Sequence, residues 1–306
     1  MKNKRGMFFT LLVIALLALF LVTYSSFHLI EERKATNKRV ESMNSFIFSL
    51  EQDISRQIYI SSYRALLSLQ YSLTTKEEFL DDSRASIKEA LLNGTIEGEN
   101  ISLMEGYRIQ DWSSRISEFG NKTNLQIDYS ILNISVTQED PWNIKIDLSL
   151  RMLIKDNSNL ASWNRTQNIS SKIEIIGFED PLYIIYTRGI FSNKINKTIY
   201  SPFVDGTNVQ NLTFHSTHSY YIASPDAPSY LDRLEGKTSA NPNGVESLVY
   251  FPVLSSKGIN VEDKSCVDHI YFSSNNPSAH RITGMPVWFK IDDAHLALYN
   301  VTALSI

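Results

Sequence analysis

The chain begins with an apolar run that lacks charged side chains. Residues 8–22 contain twelve Leu, Ile, Val or Phe residues, and no charged residue occurs between Gly6 and Glu31. Because a helix rises about 1.5 Å per residue, a run of this length crosses a bilayer. The twelve large apolar side chains favour insertion by roughly 4–7 kcal/mol. The pattern therefore predicts a membrane-spanning helix at 7–27.

Beyond the span, apolar residues recur at steps of three and four, as they do on one face of a helix. They are Val40, Met43, Ile47, Leu50, Ile54, Ile58, Ala65 and Leu69, with Ser62 in the one gap. Neither glycine nor proline interrupts the chain between Met7 and Asn93. We therefore expect one continuous helix from about residue 7 to 72, whose outer part forms a stalk. Its apolar face packs either on the protein's own domain or on neighbouring subunits.

Two shorter helices are predicted after the stalk. Thr74 or Thr75 is placed to cap the first of them, and Gly94 is placed to end it. The second covers 110–119, and Gly120 is its predicted stop.

From residue 123 the hydrophobic period changes to two, which indicates strands. The clearest strand covers 144–154, and a third covers 169–175. In the strand before them the apolar face slips by one residue near Ile131, which predicts a bulge. Asp140 and a following proline mark the turn between the first two strands. Together these strands predict an antiparallel meander with one face in water.

The last third of the chain is loop-rich. A short helix is predicted between Pro228 and Gly236, and strands are predicted at 247–251, 266–272 and 286–291. The fold class is therefore α+β: a membrane-spanning helix continues into a stalk, which packs on an antiparallel sheet before a β-rich C-terminal region. The predicted division is a basic leader at 1–6, the span at 7–27, a helical stalk with short helices at 28–122, a β-meander domain at 123–200 and a loop-rich β region at 201–306.

The charge distribution predicts the orientation of the chain in the membrane. Lys2, Lys4 and Arg5 precede the span, and short basic flanks stay in the cytoplasm. Without these three residues the net charge of −4 becomes −7, which argues against a nucleic-acid-binding surface. We expect a single-pass protein of the cell membrane with a cytoplasmic N-terminus and its bulk outside the cell. Membrane lipid is its first expected partner.

Glycosylation sequons support the same orientation. Nine asparagines begin an N-x-S/T sequence without proline: Asn93, Asn100, Asn121, Asn133, Asn164, Asn168, Asn196, Asn211 and Asn300. Composition alone would give about four such sequons, so their number favours a glycosylated extracellular surface. The alternative is a composition effect in a chain rich in asparagine and serine.

Candidate catalytic and metal-binding groups are few. The candidates for a metal site are His215, His218, His269 and His295, although their spacing alone is a weak signal. On the predicted strand, Cys266 and His269 would face opposite sides, which argues against a nucleophilic pair. No phosphate-binding loop, nucleophile elbow or dinucleotide fingerprint occurs. The sequence predicts neither an enzyme nor a cofactor.

The leader has two interpretations. The leader at 1–6 is basic and ends with Lys4, Arg5 and Gly6 directly before the apolar run, and this arrangement resembles the class III signal peptide of type IV pilins. In that group a peptidase cuts after the glycine and the apolar helix is kept, which implies cleavage between Gly6 and Met7. Leu11 stands where bacterial pilins commonly have glutamate. The alternative, a removed secretory signal, fits less well because the run is long and its cleavage motif poor.

Further segments extend the resemblance to most of the chain. They are Leu160–Trp163, Gly177–Tyr183, Pro228–Gly236 and Val267–Phe272. With the leader, they resemble a group of uncharacterised archaeal membrane-anchored proteins with pilin-like N-termini. The resemblance implies a surface protein, either a pilin-like subunit or a minor pilus component. Such a protein would assemble with itself or with other pilin-like subunits through its N-terminal helix. The alternative function is a monomeric membrane-anchored binding or adhesion protein.

Overall fold

The computed structural model describes the backbone of residues 4–306 and the side chains from residue 8 onward. The predicted leader at 1–6 and its cleavage between Gly6 and Met7 lie outside the part described with side chains. The described chain is α+β, with a long apolar N-terminal helix and small antiparallel sheets. Helix α1 spans Lys4–Lys76 and confirms the continuous helix expected from the sequence.

The outer half of α1 buries the predicted stripe. Met43, Ile47, Leu50, Ile54 and the three further predicted apolar positions up to Leu69 are at most 5% exposed. Ser62 is fully buried and occupies the gap as expected. The stripe packs against the protein's own sheet and short helices, so the chain itself covers this face.

The sheet that receives α1 has three antiparallel strands in sequence order. They are β3 (Leu125–Asp140), β4 (Asn143–Asp156) and β5 (Ser162–Glu174). A separate two-stranded ribbon, β1 (Thr95–Ile96) and β2 (Glu99–Asn100), precedes them in the chain. The register of β3 on β4 shifts between Ile131 and Asn133, which confirms the predicted bulge. Buried and more accessible residues alternate along β4. The meander is therefore confirmed, with β5 longer than predicted.

Helices α2 (Ser83–Asn93) and α3 (Ile109–Lys122) border α1 and the sheet. The start of α2 and the end of α3 differ from the prediction. The hydroxyl of Thr74 donates to the Gln70 carbonyl inside α1, so the predicted threonine cap is wrong. Asp82 caps α2 instead, by accepting from the Ala85 N–H. The predicted end at Gly94 is confirmed, since its φ is +74°.

Gly120 does not stop α3, because the helix continues to Lys122. Its role is close packing: a Cβ at this position would lie 2.7 Å from Ile127 Cδ1 on β3. Polar contacts also fix α1 to the sheet. Arg39 on α1 pairs with the buried Asp156 of β4 at 2.5 Å, near the point where α1 meets the folded body.

The C-terminal region contains short helices and three-residue strands. They are α4 (Pro181–Tyr186), α5 (Gln210–Thr217), β6 (Tyr221–Ala223), α6 (Tyr230–Leu234), β7 (Val245–Ser247), α7 (Phe251–Ser256), α8 (Asp268–Tyr271), β8 (Ala279–Arg281) and β9 (Lys290–Asp292). Strand β6 pairs with β7, and β8 pairs with β9. The predicted helix between Pro228 and Gly236 is confirmed as α6. The predicted β-rich character is limited to these short pairs.

The predicted strand at 266–272 is wrong. Residues Asp268–Tyr271 form the short helix α8 instead. A strand would place Asp268 and His269 on opposite faces, whereas Asp268 is fully buried and His269 is only 2% exposed. An ionic partner inside the core holds Asp268, and this tertiary contact overrides the local period. The predicted strand at 247–251 likewise ends at Ser247, and Pro252 lies in the first turn of α7.

The C-terminal region joins the first core at the outer end of α1. The amide of Gln70 donates to the Glu179 carbonyl at 2.8 Å and to the Tyr230 hydroxyl at 3.1 Å. The Leu80 N–H donates to the Leu234 carbonyl. A second apolar cluster extends from α4 to the C-terminal residues and includes Tyr183, which lies within the predicted meander domain.

Candidate functional site

The N-terminal half of α1 extends away from the folded body. Every side chain from 8 to 38 is exposed, and the body begins to cover the helix at Arg39. The large apolar side chains between Phe8 and Ile30 are 39–72% exposed. Among the described residues, α1 is the one helix long and apolar enough to cross a membrane by length and composition. We call 8–38 the projecting segment.

The dimensions of the projecting segment match those of a bilayer. At about 1.5 Å per residue, the uncharged part at 8–30 is about 35 Å long, against a hydrocarbon core of about 30 Å. Charged residues begin at Glu31, between this part and the folded body. The segment therefore combines a length that spans lipid with a short polar spacer.

The predicted glycosylation sites lie at the surface of the body. Eight of the nine sequon asparagines are exposed, and Asn211 is half-buried with its amide donating to the Pro202 carbonyl. Asn133 and Asn168 lie on the accessible face of the sheet, opposite α1. Their exposure is compatible with glycans.

The histidine candidates separate into different surroundings. His218 is exposed, while His215 is buried and contacts the Thr198 hydroxyl through Nδ1 at 3.1 Å. Burial lowers the pKa of His215 to about 4. The proposed pair of His215 and His218 therefore forms no site among the described residues. His269 and His295 do meet, and Glu246 joins them.

The Glu246 cluster consists of Glu246 on β7, His269 on α8 and His295 after β9. Each side chain offers one ligand atom, and these atoms lie within 4.8 Å of one another. All three residues are at most 2% exposed. His295 Nε2 lies 3.4 Å from Glu246 Oε2, and His269 Nε2 lies 3.6 Å from the same oxygen.

Neighbouring groups hold two members of the cluster in place. The Tyr299 hydroxyl donates to Glu246 Oε1 at 2.9 Å. His295 Nδ1 donates to Asp292 Oδ1 at 2.6 Å, and the Ser265 hydroxyl donates to the other oxygen of Asp292 at 2.7 Å. One carboxylate oxygen of Glu246 and one ring nitrogen of His295 thus already form hydrogen bonds. The other oxygen of Glu246 and the other ring nitrogen of His295 point into the cluster.

Electrostatic coupling within the cluster is strong. Burial would raise the pKa of Glu246, but the two facing imidazoles hold it far below its usual range. Burial would lower the pKa of His295, but the carboxylates of Asp292 and Glu246 raise it to about 10. At neutral pH the carboxylates are therefore ionised and His295 is protonated, so the imidazolium balances part of their negative charge.

A buried ionic network adjoins the cluster. Arg233 on α6 is fully buried and lies between Asp180, which caps α4, and Asp268 on α8. Its Nη1 donates to Asp180 at 2.6 Å, and both terminal nitrogens lie 3.1 Å from Asp268 oxygens. The Ser247 N–H and hydroxyl also donate to Asp268. Since β7 carries both Ser247 and Glu246, the network and the cluster share one strand.

Cys266 carries no nucleophilic chemistry here. The thiol is fully buried, and burial raises its pKa to about 12, so it stays protonated at neutral pH. It accepts a hydrogen bond from the Lys290 N–H.

The sequence alone did not reveal the roles of Glu246, Asp180 and Arg233. Asp180 and Arg233, together with Asp268, come from three of the segments that carry the family resemblance, and the fold brings these segments together. No local signal marks them as buried: Arg233 stands between Asp232 and Leu234, and Glu246 stands between Val245 and Ser247, so neither charge lies in an apolar run.

Comparisons with known proteins give no match. No protein-family model, no curated protein and no solved structure matches the chain.

Proposed function

We propose that the protein is a cell-surface structural subunit of the pilin-like class, held in the membrane and assembled through the N-terminal half of α1. One observation carries the proposal: α1 runs without a break from an exposed apolar half into a half that packs on a β-sheet. A helix with such an exposed apolar half requires a second apolar environment, either lipid or copies of itself.

The proposed orientation places the body outside the cell and the basic leader in the cytoplasm. The positive-inside tendency of Lys2, Lys4 and Arg5 supports it, and so does the exposure of eight sequon asparagines. Glycopeptide mapping of the natural protein tests this orientation. Glycans on Asn133 or Asn168 would place the body outside, whereas unmodified asparagines at all nine sequons would remove this support.

Assembly requires a contact between projecting segments. Helices in membranes pack through small side chains, which allow close approach of their backbones. Ala15 and Ala18 are the small residues in the centre of the apolar run, and their spacing of three places them on one face. We therefore place the contact between copies at these two alanines.

Disulfide trapping tests the contact. Ala18→Cys should form a disulfide-linked dimer in native membranes under mild oxidation, because copies meet at this face. Lys172→Cys, on an exposed position of β5 away from α1, is the matched control and should stay monomeric. Cys266 is fully buried and should not take part.

Two results would contradict the assembly proposal. Ala18→Cys that stays monomeric at native expression would favour the alternative, a monomeric anchored binding protein. Equal cross-linking of Ala18→Cys and Lys172→Cys would show random collision in the membrane instead of a specific contact.

A further inference from the structure

The geometry points to a divalent transition-metal site formed by Glu246, His269 and His295, with Zn²⁺ as the ion that these ligands suit best. The inference is independent of the proposed assembly through α1. A carboxylate with two imidazoles is an established Zn²⁺ ligand set, and neutral imidazole suits first-row divalent ions in general. Three converging ligand atoms within 4.8 Å meet the first requirement of such a site.

The atoms that face one another lack hydrogen-bond partners. Glu246 Oε2, His295 Nε2 and both ring nitrogens of His269 are buried without a partner in the part of the chain that the structure describes. Buried polar atoms normally find partners, because an unpaired one costs about 1–3 kcal/mol. Three of them, Glu246 Oε2, His295 Nε2 and His269 Nε2, lie close together, and unpaired atoms that converge in this way indicate a shared ligand.

The distances fit a shared ion better than direct hydrogen bonds. A charge-assisted N–H···O bond is about 2.7–2.9 Å long. The distances from Glu246 Oε2 are longer, 3.4 Å to His295 and 3.6 Å to His269. Two ligands bound tetrahedrally to Zn²⁺ at about 2.1 Å lie about 3.4 Å from each other. The observed separations are therefore those of neighbouring ligands on one ion.

Neighbouring groups orient two of the three ligands by hydrogen bonds, as is usual for metal ligands in proteins. The Asp292 carboxylate accepts from Nδ1 of His295, which leaves Nε2 as the atom available for a metal. Tyr299 fixes one oxygen of Glu246 and leaves the other available. Among the described residues His269 has no such partner, and its ring packs edge-on against the ring of His295.

The balance of buried charge also favours a cation. Four carboxylates, those of Asp180, Glu246, Asp268 and Asp292, are at most 1% exposed, and the buried cations that face them among the described residues are Arg233 and the imidazolium of His295. Uncompensated buried charge is strongly unfavourable. A divalent ion at the cluster offsets part of this negative excess.

The burial of the ligands assigns the ion a structural role. Glu246, His269 and His295 come from three separate segments of the C-terminal region, and the ion would link them inside the second apolar cluster. Metal binding then contributes directly to folding, because the unfolded chain lacks a preformed site. Removal of the ion should loosen this region and leave the packing of α1 on the sheet intact.

Metal analysis of the full chain in detergent tests the inference. Protein expressed with zinc should contain about one Zn²⁺ per chain, and chelation should lower its thermal midpoint reversibly. The chelated protein should bind Co²⁺ with the strong visible absorption of a tetrahedral site.

Variants provide graded controls. Glu246→Gln removes a ligand and should weaken Zn²⁺ binding more than about 100-fold, while Asp292→Asn removes only the support of His295 and should weaken it about 10–100-fold. The exposed His218 is the matched control, and His218→Ala should bind like the unchanged protein.

Metal uptake by the unchanged protein tests the inference even if a variant fails to fold. Folded protein that takes up neither Zn²⁺ nor Co²⁺ would overturn the inference and identify the cluster as protonated imidazoles paired with Glu246. Binding that is equal in the unchanged protein and in folded Glu246→Gln would overturn it as well, because the metal would then lie elsewhere.

Discussion

Replacement of Arg233 by methionine is expected to destabilise the C-terminal region by about 3–5 kcal/mol. The guanidinium is fully buried and pairs with Asp180 and Asp268, so its removal leaves two buried carboxylates without their cation. Methionine occupies a similar volume, which keeps the loss from being mainly a cavity effect. Thermal and denaturant unfolding of the full chain in detergent measures the change.

The matched control is an arginine in a solvent-exposed pair. Arg165 on β5 contacts Glu51 on α1 at 3.0 Å and is 50% exposed. Arg165→Met should cost at most about 1 kcal/mol, because water screens such pairs. Equal losses for Arg233→Met and Arg165→Met would show that the buried network contributes little.

A second substitution distinguishes the loss of stability caused by unpaired charge from the loss caused by poorer packing. Asp180→Asn added to Arg233→Met removes one unpaired carboxylate, and asparagine still caps α4 well. Burial already raises the pKa of Asp180, so a neutral side chain is tolerated at this position. We expect the double variant to recover part of the lost stability. No recovery would assign the loss to packing.

Two arginines in the centre of the apolar run should abolish membrane insertion. Leu17→Arg with Leu21→Arg costs about 5–7 kcal/mol, at roughly 2.5–3.5 kcal/mol for each arginine at a helix centre. This cost offsets the roughly 4–7 kcal/mol by which the run favours insertion. Extraction of membranes with alkaline carbonate measures insertion, because inserted proteins stay in the membrane pellet. The variant should be found in the supernatant or be degraded.

The control places the same charges on the outer half of α1. Phe48 and Tyr59 are 63% and 49% exposed, and both lie beyond the projecting segment. Phe48→Arg with Tyr59→Arg should stay in the membrane pellet. If the Leu17 and Leu21 variant also stays there, the apolar run is not the anchor.

Local patterns predicted the first core well. The stripe from Met43 to Leu69 and the alternation along β4 are both periodic, and each element buries one face against a partner. Even the bulge near Ile131 could be predicted, because a slip of one residue reverses the side to which every later side chain points.

The Glu246 cluster could not be predicted in the same way. Its members come from three segments that meet only in the folded chain, and His269 and His295 were grouped in sequence with two histidines that lie elsewhere. Glu246 and Asp268 are charged residues that their neighbours in the sequence do not mark as buried. The buried partners that hold them inside are tertiary contacts, which hydrophobic periodicity does not encode.

The N-terminus of the natural protein tests the proposed function most directly. A pilin-like subunit loses its basic leader and keeps the apolar helix, so peptide mapping of the protein from its native membrane or surface should find a mature chain that begins at Met7. The same material should run as high-mass species after mild solubilisation. An intact N-terminus at Met1 in a monomeric, detergent-extracted protein would contradict the proposal and support a tethered binding protein instead.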